Sequence, residues 1–331
     1  MAKKIRVGLI GCGSISGAHA AAYKQWRDMA DVIATCDMDK AKAQARADAL
    51  GARQVCTQVE NLLANPDIDA VDICLPHDLH APVVLAAAKA GKAILCEKPI
   101  STNLADARKM VSAARGAGVP FMVAHSDRFS PTSLKMKELI DSGAIGKVFL
   151  ARASFEYYPA ISHRAWMGDK KKVGGGGLNN SGIHFFDTMR YFLGDIQTVA
   201  AVQNLTRDDM QGEDTSIVIM IFRCGAVGEI MNSLAIQGVK GARSSMSIHG
   251  SKGTIVGERD KVELRLPGAP EPVVETYECS GPPGITEEIR QFLDALRIGK
   301  NVPVTGEDGY VALEVCMAAY ESAAKGVVVK L

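Results

Sequence analysis

The 331-residue sequence has no surplus of either charge: 38 lysines and arginines face 37 aspartates and glutamates, a formal net charge of +1. Without a basic patch or a run of one sign it carries no electrostatic footprint for nucleic acid or for an anionic membrane surface. A small-molecule partner is expected instead. Long apolar runs are missing as well. No stretch approaches the ~18–20 apolar residues of a membrane helix. The apolar segment after Lys3 and Lys4 is too short for a signal peptide, so a cytoplasmic protein is expected. The eight cysteines (Cys12, Cys36, Cys56, Cys74, Cys96, Cys224, Cys279 and Cys316) form no CxxC pair. Neither a zinc site nor a redox couple is expected, only reduced thiols in apolar segments. No internal repeat or low-complexity linker interrupts the chain.

Its length suggests two domains, and the elements change character near residue 124. Before it, Ile5–Ile10, Val32–Cys36, Ala70–Leu75, Ala93–Cys96 and Phe121–Ala124 read as strands. Between them His19–Trp26, Lys40–Leu50, Ala81–Ala90 and Leu104–Ala117 read as helices, with Gly51, Gly91 and Gly118 just past helix ends. That alternation implies βαβ units and a parallel sheet. After residue 124 come a helix at Ser133–Ser142, a strand at Val148–Phe155, the glycine run Gly174–Gly177 and a helix from about Ser181 to Leu193. Strand-like segments with short turns then fill residues 196–278, as an antiparallel sheet would. Helices at Ile285–Arg297 and Gly306–Lys325 close the chain. The expected division is one domain over 1–124 and a second over 125–331.

Three clusters carry chemistry. The first, Gly8 to Gly17, joins a strand to a helix. Gly11 allows the tight turn, Gly13 lets backbone N–H groups approach a pyrophosphate at the helix N-terminus, and Ser14 and Ile15 complete the cofactor-facing turn. Ser16 stands where the motif has its third glycine. Asp37 ends the second strand at the offset of the acid that bonds a ribose 2′-hydroxyl, with Asp39 able to share the role. A carboxylate there repels a 2′-phosphate and favours NAD over NADP. The second cluster is Glu97-Lys98-Pro99, which sets a lysine at the carboxyl edge of the sheet. The third follows the glycine run, where a flexible loop is expected to precede the helix. Spacings of four and three put Asn180, His184 and Asp187 on one helical face, beside apolar Ile183, Phe185 and Phe186. Tyr158, His163 and Trp166 precede the glycines and suit sugar-facing contacts or an oligomer contact equally. Arg128 suits a place in the cleft or a structural salt bridge equally.

Together the glycine turn, Glu97-Lys98-Pro99 and Gly175-Gly176-Gly177-Leu178 with Gly182-Ile183-His184-Phe185-Phe186-Asp187 resemble the glucose–fructose oxidoreductase / inositol dehydrogenase / MocA-like (Gfo/Idh/MocA) oxidoreductases. Pro76-His77-Asp78-Leu79-His80, Arg128-Phe129-Ser130-Pro131 and the closing Ala318-Ala319-Tyr320-Glu321-Ser322-Ala323 extend the likeness along nearly the whole chain. The resemblance implies an α/β fold: an N-terminal Rossmann doubly wound parallel sheet and a C-terminal α/β domain with a large, mainly antiparallel sheet. The resemblance also implies that this sheet pairs subunits into dimers or tetramers, giving residues 1–124 the dinucleotide and residues 125–331 substrate binding and oligomerisation. The resemblance further implies NAD(P)-linked oxidation or reduction of a sugar, cyclitol or sugar derivative. Lys98 would be the active-site lysine and His184 the acid/base, with Asn180 beside it and Pro76, His77, His80 and Glu97 near the cofactor. No metal is implied. Asn180 stands where relatives often have aspartate, and an amide cannot support an imidazolium as a carboxylate does. Two rivals share the fold, a redox-neutral NAD-dependent hydrolase or eliminating enzyme and a non-catalytic dinucleotide sensor. Lys98 and His184 together argue against the sensor.

Overall fold

The computed structural model describes residues 4–278 and 284–331, apart from the side chains of residues 162–164. The chain forms two units, residues 1–126 with 284–311 and residues 127–283 with 312–331.

The first unit alternates β1 (Ile5–Ile10), α1 (Ile15–Gln25), β2 (Ala30–Cys36), α2 (Lys40–Leu50), β3 (Gln54–Cys56), α3 (Val59–Leu63), β4 (Ala70–Ile73), α4 (His80–Lys89), β5 (Ala93–Glu97), α5 (Leu104–Ala117) and β6 (Phe121–Ala124). All neighbours in the six-stranded sheet are parallel, in the order β3-β2-β1-β4-β5-β6. The order reverses between β1 and β4, which opens the crevice where such sheets hold ligands. β4, β5 and β6 are buried at every residue, as parallel strands covered on both faces must be. The helix ends follow from local chemistry. Asp39 and Asn103 cap α2 and α5, while Gly51 and Gly118 take the left-handed conformation beyond them.

The second unit holds α6 (Pro131–Asp141), β7 (Val148–Glu156), α7 (Lys170–Val173), α8 (Ile183–Leu193) and seven further strands: β8 (Ile196–Asn204), β9 (Thr215–Phe222), β10 (Val227–Ser233), β11 (Arg243–Gly250), β12 (Gly253–Glu258), β13 (Lys261–Arg265) and β14 (Val273–Thr276). α9 (Ile285–Ile298), α10 (Gly306–Lys325) and β15 (Val329–Lys330) end the chain. The nine-stranded sheet runs β14-β13-β12-β11-β7-β10-β9-β8-β15. It is antiparallel except at β7 and β10, which pair in parallel. One face is dry: Val218, Met220, Phe222 and Ile230 pack with Phe186, Met189 and Phe192 of α8.

Residues 284–311, expected in the second domain, belong to the first. α9 buries Ile285, Ile289, Phe292 and Leu293 and lies along α1, where the Trp26 indole donates to the Thr286 carbonyl at 2.8 Å. Thr305 bridges to Met122 of β6, and the Val123 N–H donates to the Val304 carbonyl at 3.1 Å. The amphipathic pattern of α9 announces a face that needs cover without saying which sheet supplies it. The division between the units falls inside α10.

Candidate active site

The carboxyl edge of the parallel sheet gathers the expected cofactor residues. Gly11 adopts φ +88°, and a Cβ there would stand 2.3 Å from the Cys74 carbonyl oxygen. The protein's own packing therefore demands that glycine. Gly13 is different, because a Cβ at this position would meet nothing within 4 Å. It is exposed, with Ser14, where α1 begins. A glycine that the protein's packing does not require, at a helix N-terminus after β1, fits a backbone cradle for a pyrophosphate. Ser16 fills the third motif place and is buried, its hydroxyl donating to the Gly13 carbonyl at 2.7 Å. Asp37 is held by the same turn: one carboxylate oxygen accepts the Cys12 N–H at 2.8 Å and the other the Asp39 N–H at 2.9 Å. Asp39 caps α2, its carboxylate accepting the N–H groups of Ala41 and Lys42.

Pro76 and buried His77 follow β4, and half-buried Lys98 follows β5, joined to Pro99 by a cis peptide. His80, expected near the cofactor, is buried with its ring nitrogens 2.9 Å from the Pro99 and Leu75 carbonyls. Its placement ties the loop after β4 to the turn after Lys98. Burial pushes its pKa down, against the pull of those carbonyl acceptors.

Glu97 also points inward. One oxygen accepts the Lys98 N–H at 3.0 Å and the other lies 3.1 Å from His19 Nε2, while His19 Nδ1 is 2.8 Å from Asp72. Burial alone would strip the proton from His19, but Asp72 and Cys74 outweigh it and hold the imidazole charged well above its ordinary range. Ligand atoms of His19, Asp72 and Cys74 come within 4.8 Å of one another. A 2.8 Å contact is a charge-assisted hydrogen bond, and it is closer than two ligands on one zinc ion at ~2.0–2.3 Å bond lengths would sit. The cluster is an ionic support beneath Lys98. Of the described cysteines, Cys224 is exposed and the others are buried and unpaired; Cys279 lies outside the described residues.

In the second unit, the glycine run is packed, contrary to the flexible loop expected. A Cβ on Gly175, at φ +146°, would lie 2.2 Å from the Tyr320 hydroxyl, and one on Gly176 would lie 2.1 Å from the Glu213 carbonyl. The Tyr320 hydroxyl accepts the N–H groups of Gly176 and Asn179 at 2.9 and 3.2 Å and donates to Glu213 at 2.9 Å. Glu213 also accepts the Leu178 N–H at 2.8 Å, and burial raises its carboxyl to about 7. This strap feeds a single wide π turn, Leu178–Gly182, ahead of α8, a distortion often found at functional sites. Ser181 secures the turn through Asn232 at 2.8 Å. Asn180 and His184 emerge half-buried. Tyr320 had a signal in the closing Ala-Ala-Tyr-Glu-Ser-Ala segment; Glu213 and Asn232 had none.

Arg128 takes the structural alternative. Its guanidinium makes a buried two-pronged pair with Asp187 of α8, at 2.6 and 2.7 Å, and lies over the Tyr191 ring. The neighbouring Asp127, unnoticed in the sequence, places a carboxylate oxygen 3.8 Å from His184 Nδ1. Tyr158 is exposed, with the Arg207 guanidinium 4.0 Å from its ring centroid. Trp166 is half-buried, and the His163 side chain lies outside the described residues.

The glycine turn, the Asp37 carboxylate and Lys98 thus stand on one sheet edge, where folds of this class hold a dinucleotide. Comparison with known proteins agrees. Residues 5–125 match the model for an "Oxidoreductase family, NAD-binding Rossmann fold", and residues 133–256 match the "GFO/IDH/MocA C-terminal domain". Myo-inositol 2-dehydrogenase of Thermotoga maritima is 31% identical over 96% of this chain and 96% of its own length. D-apiose dehydrogenase of Paraburkholderia graminis is 28% identical over 99% of this chain and 90% of its own length. A levoglucosan dehydrogenase solved with NADH and L-sorbose superposes with a TM-score of 0.90 at 26% identity, covering 99% of both chains. The chain belongs to the Gfo/Idh/MocA family of oxidoreductases, and its cofactor is NAD. Among the described residues, no helix is long and apolar enough to cross a membrane.

Proposed function

We propose that the protein is an NAD-dependent dehydrogenase of a sugar, cyclitol or sugar derivative, with Lys98 and His184 as its reacting side chains. The observation that carries this reading is the open backbone cradle at Gly13 on the sheet edge where β5 delivers Lys98. The names of the relatives, an inositol, an apiose and a levoglucosan dehydrogenase, support the substrate class.

Bound in this crevice, NAD would supply the hydride acceptor for the carbinol carbon. Gly13, Ser14 and Ile15 would hold its pyrophosphate by backbone N–H groups, on a turn that Gly11 closes by donating its own N–H to the Cys36 carbonyl at 2.8 Å, and Asp37 would select the unphosphorylated ribose. His184 takes the hydroxyl proton of the secondary alcohol as the carbon–oxygen bond becomes a carbonyl. Lys98 donates a hydrogen bond to the same oxygen and stabilises the negative charge that builds there. Asn180, Tyr158 and Trp166 supply substrate contacts.

We further propose a homodimer or homotetramer assembled through the large sheet. Strand register sets Val202, Ile217 and Met231 in one row and Ile221 and Val227 in another, with Ile219 between the rows. Val202 is 66% and Ile219 51% exposed, an apolar face suited to a second copy.

The test is a panel of polyols, cyclitols, aldoses and sugar acids scored by NADH formation. Turnover of at least one cyclitol or sugar is expected. Release of a leaving group without net NADH would favour a redox-neutral reaction instead, and NAD binding without any turnover would sink the dehydrogenase reading.

A further inference from the structure

His184, placed as the base that takes the substrate proton, needs a partner that holds its ring and balances the charge it acquires. A neighbouring carboxylate does both, while Asn180 offers only an amide. Two aspartates approach this part of α8. Asp187, three residues beyond His184, is fully buried, and both its oxygens are taken by Arg128. The other is Asp127. Its Oδ1 lies 3.8 Å from His184 Nδ1, with the His184 side chain 16% exposed and that of Asp127 40% exposed.

Asp127 is held in place by its neighbour. It lies in a short 3-10 turn, Ser126–Phe129, whose next residue is Arg128. The Arg128–Asp187 pair staples that turn to α8, on the same helical face as His184. The Ser130 hydroxyl and N–H both donate to the Asp127 carbonyl, at 3.0 and 3.3 Å, and fix the backbone from the other side. The buried ion pair thus sets the carboxylate of Asp127 against the imidazole.

We propose that Asp127 is the positioning and charge partner of His184, doing from the domain-junction turn what a carboxylate at position 180 would do from the helix itself. The proposal rests on His184 being the acid/base. Within its own unit, the Asp127 carboxylate approaches the ring, and the charges of the Asp187–Arg128 pair on the same helix balance one another. Asp127 orients Nδ1 so that Nε2 faces the substrate oxygen, and it stabilises the imidazolium formed when the hydroxyl proton moves.

The test compares wild type, Asp127→Asn and Asp127→Asn with Asn180→Asp. The primary readout is the His184 titration in the intact protein by NMR, assigned by its loss in His184→Gln. This readout needs no substrate. In Asp127→Asn the pKa should fall by about one unit, as expected for removing an opposite charge within ~4–6 Å, and Asn180→Asp should restore most of it. The limb of the kcat/KM pH profile that reports His184 should move the same way, with kcat roughly tenfold lower and NAD affinity unchanged. A His184 titration in Asp127→Asn that superimposes on wild type overturns the pairing. If the titration moves but His184→Ala turns over undiminished, the pairing stands and the acid/base role of His184 falls.

Discussion

Replacing Gly13 with alanine should leave the fold intact and abolish tight cofactor binding. A Cβ at this position meets no protein atom within 4 Å, and Gly13 is not among the glycines with positive φ. Alanine therefore costs the folded state nothing and reduces the freedom of the unfolded chain, so stability should hold or rise by about 0.4–1 kcal/mol. The same methyl occupies the space through which the backbone approaches the pyrophosphate. Losing one or two charge-assisted N–H to phosphate bonds, at roughly 1.5–3 kcal/mol each, amounts to about 1.5–6 kcal/mol, or roughly ten-fold to twenty-thousand-fold in Kd. The assay pairs NADH titration by fluorescence with a thermal melt of the cofactor-free protein. Gly11→Ala is the control with the opposite signature, because it combines φ +88° with a 2.3 Å collision against the Cys74 carbonyl and should lower stability outright. A Gly13→Ala protein that binds NADH within threefold of wild type would refute the reasoning.

Two other sites yield predictions. Glu213, with its carboxyl raised to about 7 by burial, destabilises the fold when ionised, so stability should fall as pH rises from its unfolded value near 4.5 through 7. The full effect approaches ~3 kcal/mol. Glu213→Gln should flatten that dependence between pH 5 and 8 in thermal melts, and an unchanged slope would show that Glu213 is not responsible. Arg128→Met strands Asp187 as a buried charge and should cost about 3–5 kcal/mol in chemical denaturation. Adding Asp187→Leu should recover most of it; simple additivity of the two losses would mean that they do not form a coupled pair.

Much of this architecture is legible in the sequence where local chemistry and periodicity agree. β1, β6, α2, α5 and α10 fall where alternation, caps and terminal glycines place them, and the Rossmann cofactor fold follows from their order. β3 and α3 escape notice because three and five residues are too few for a period to register. α9 carries a clear apolar face, but a helical period does not name the sheet that covers it. Glycines show the same limit within the site. Gly11, Gly13 and Gly176 are identical letters at a left-handed turn, an open helix N-terminus and a close backbone crossing. Only their surroundings separate them. The Asp72–His19–Glu97 support, the Tyr320–Glu213 strap and the Asp127–His184 contact join residues far apart in the chain. No local spacing encodes them, whereas Lys98 and His184 stand inside short motifs and can be read directly.

The central claim, that Lys98 and His184 carry out alcohol oxidation on a cofactor held by the glycine turn, is tested most directly by steady-state NADH formation on the best substrate from the panel. Lys98→Met and His184→Gln should each lower kcat by roughly 10²–10⁴-fold while NAD binding stays within threefold of wild type. Retention of wild-type kcat by either variant would contradict the account.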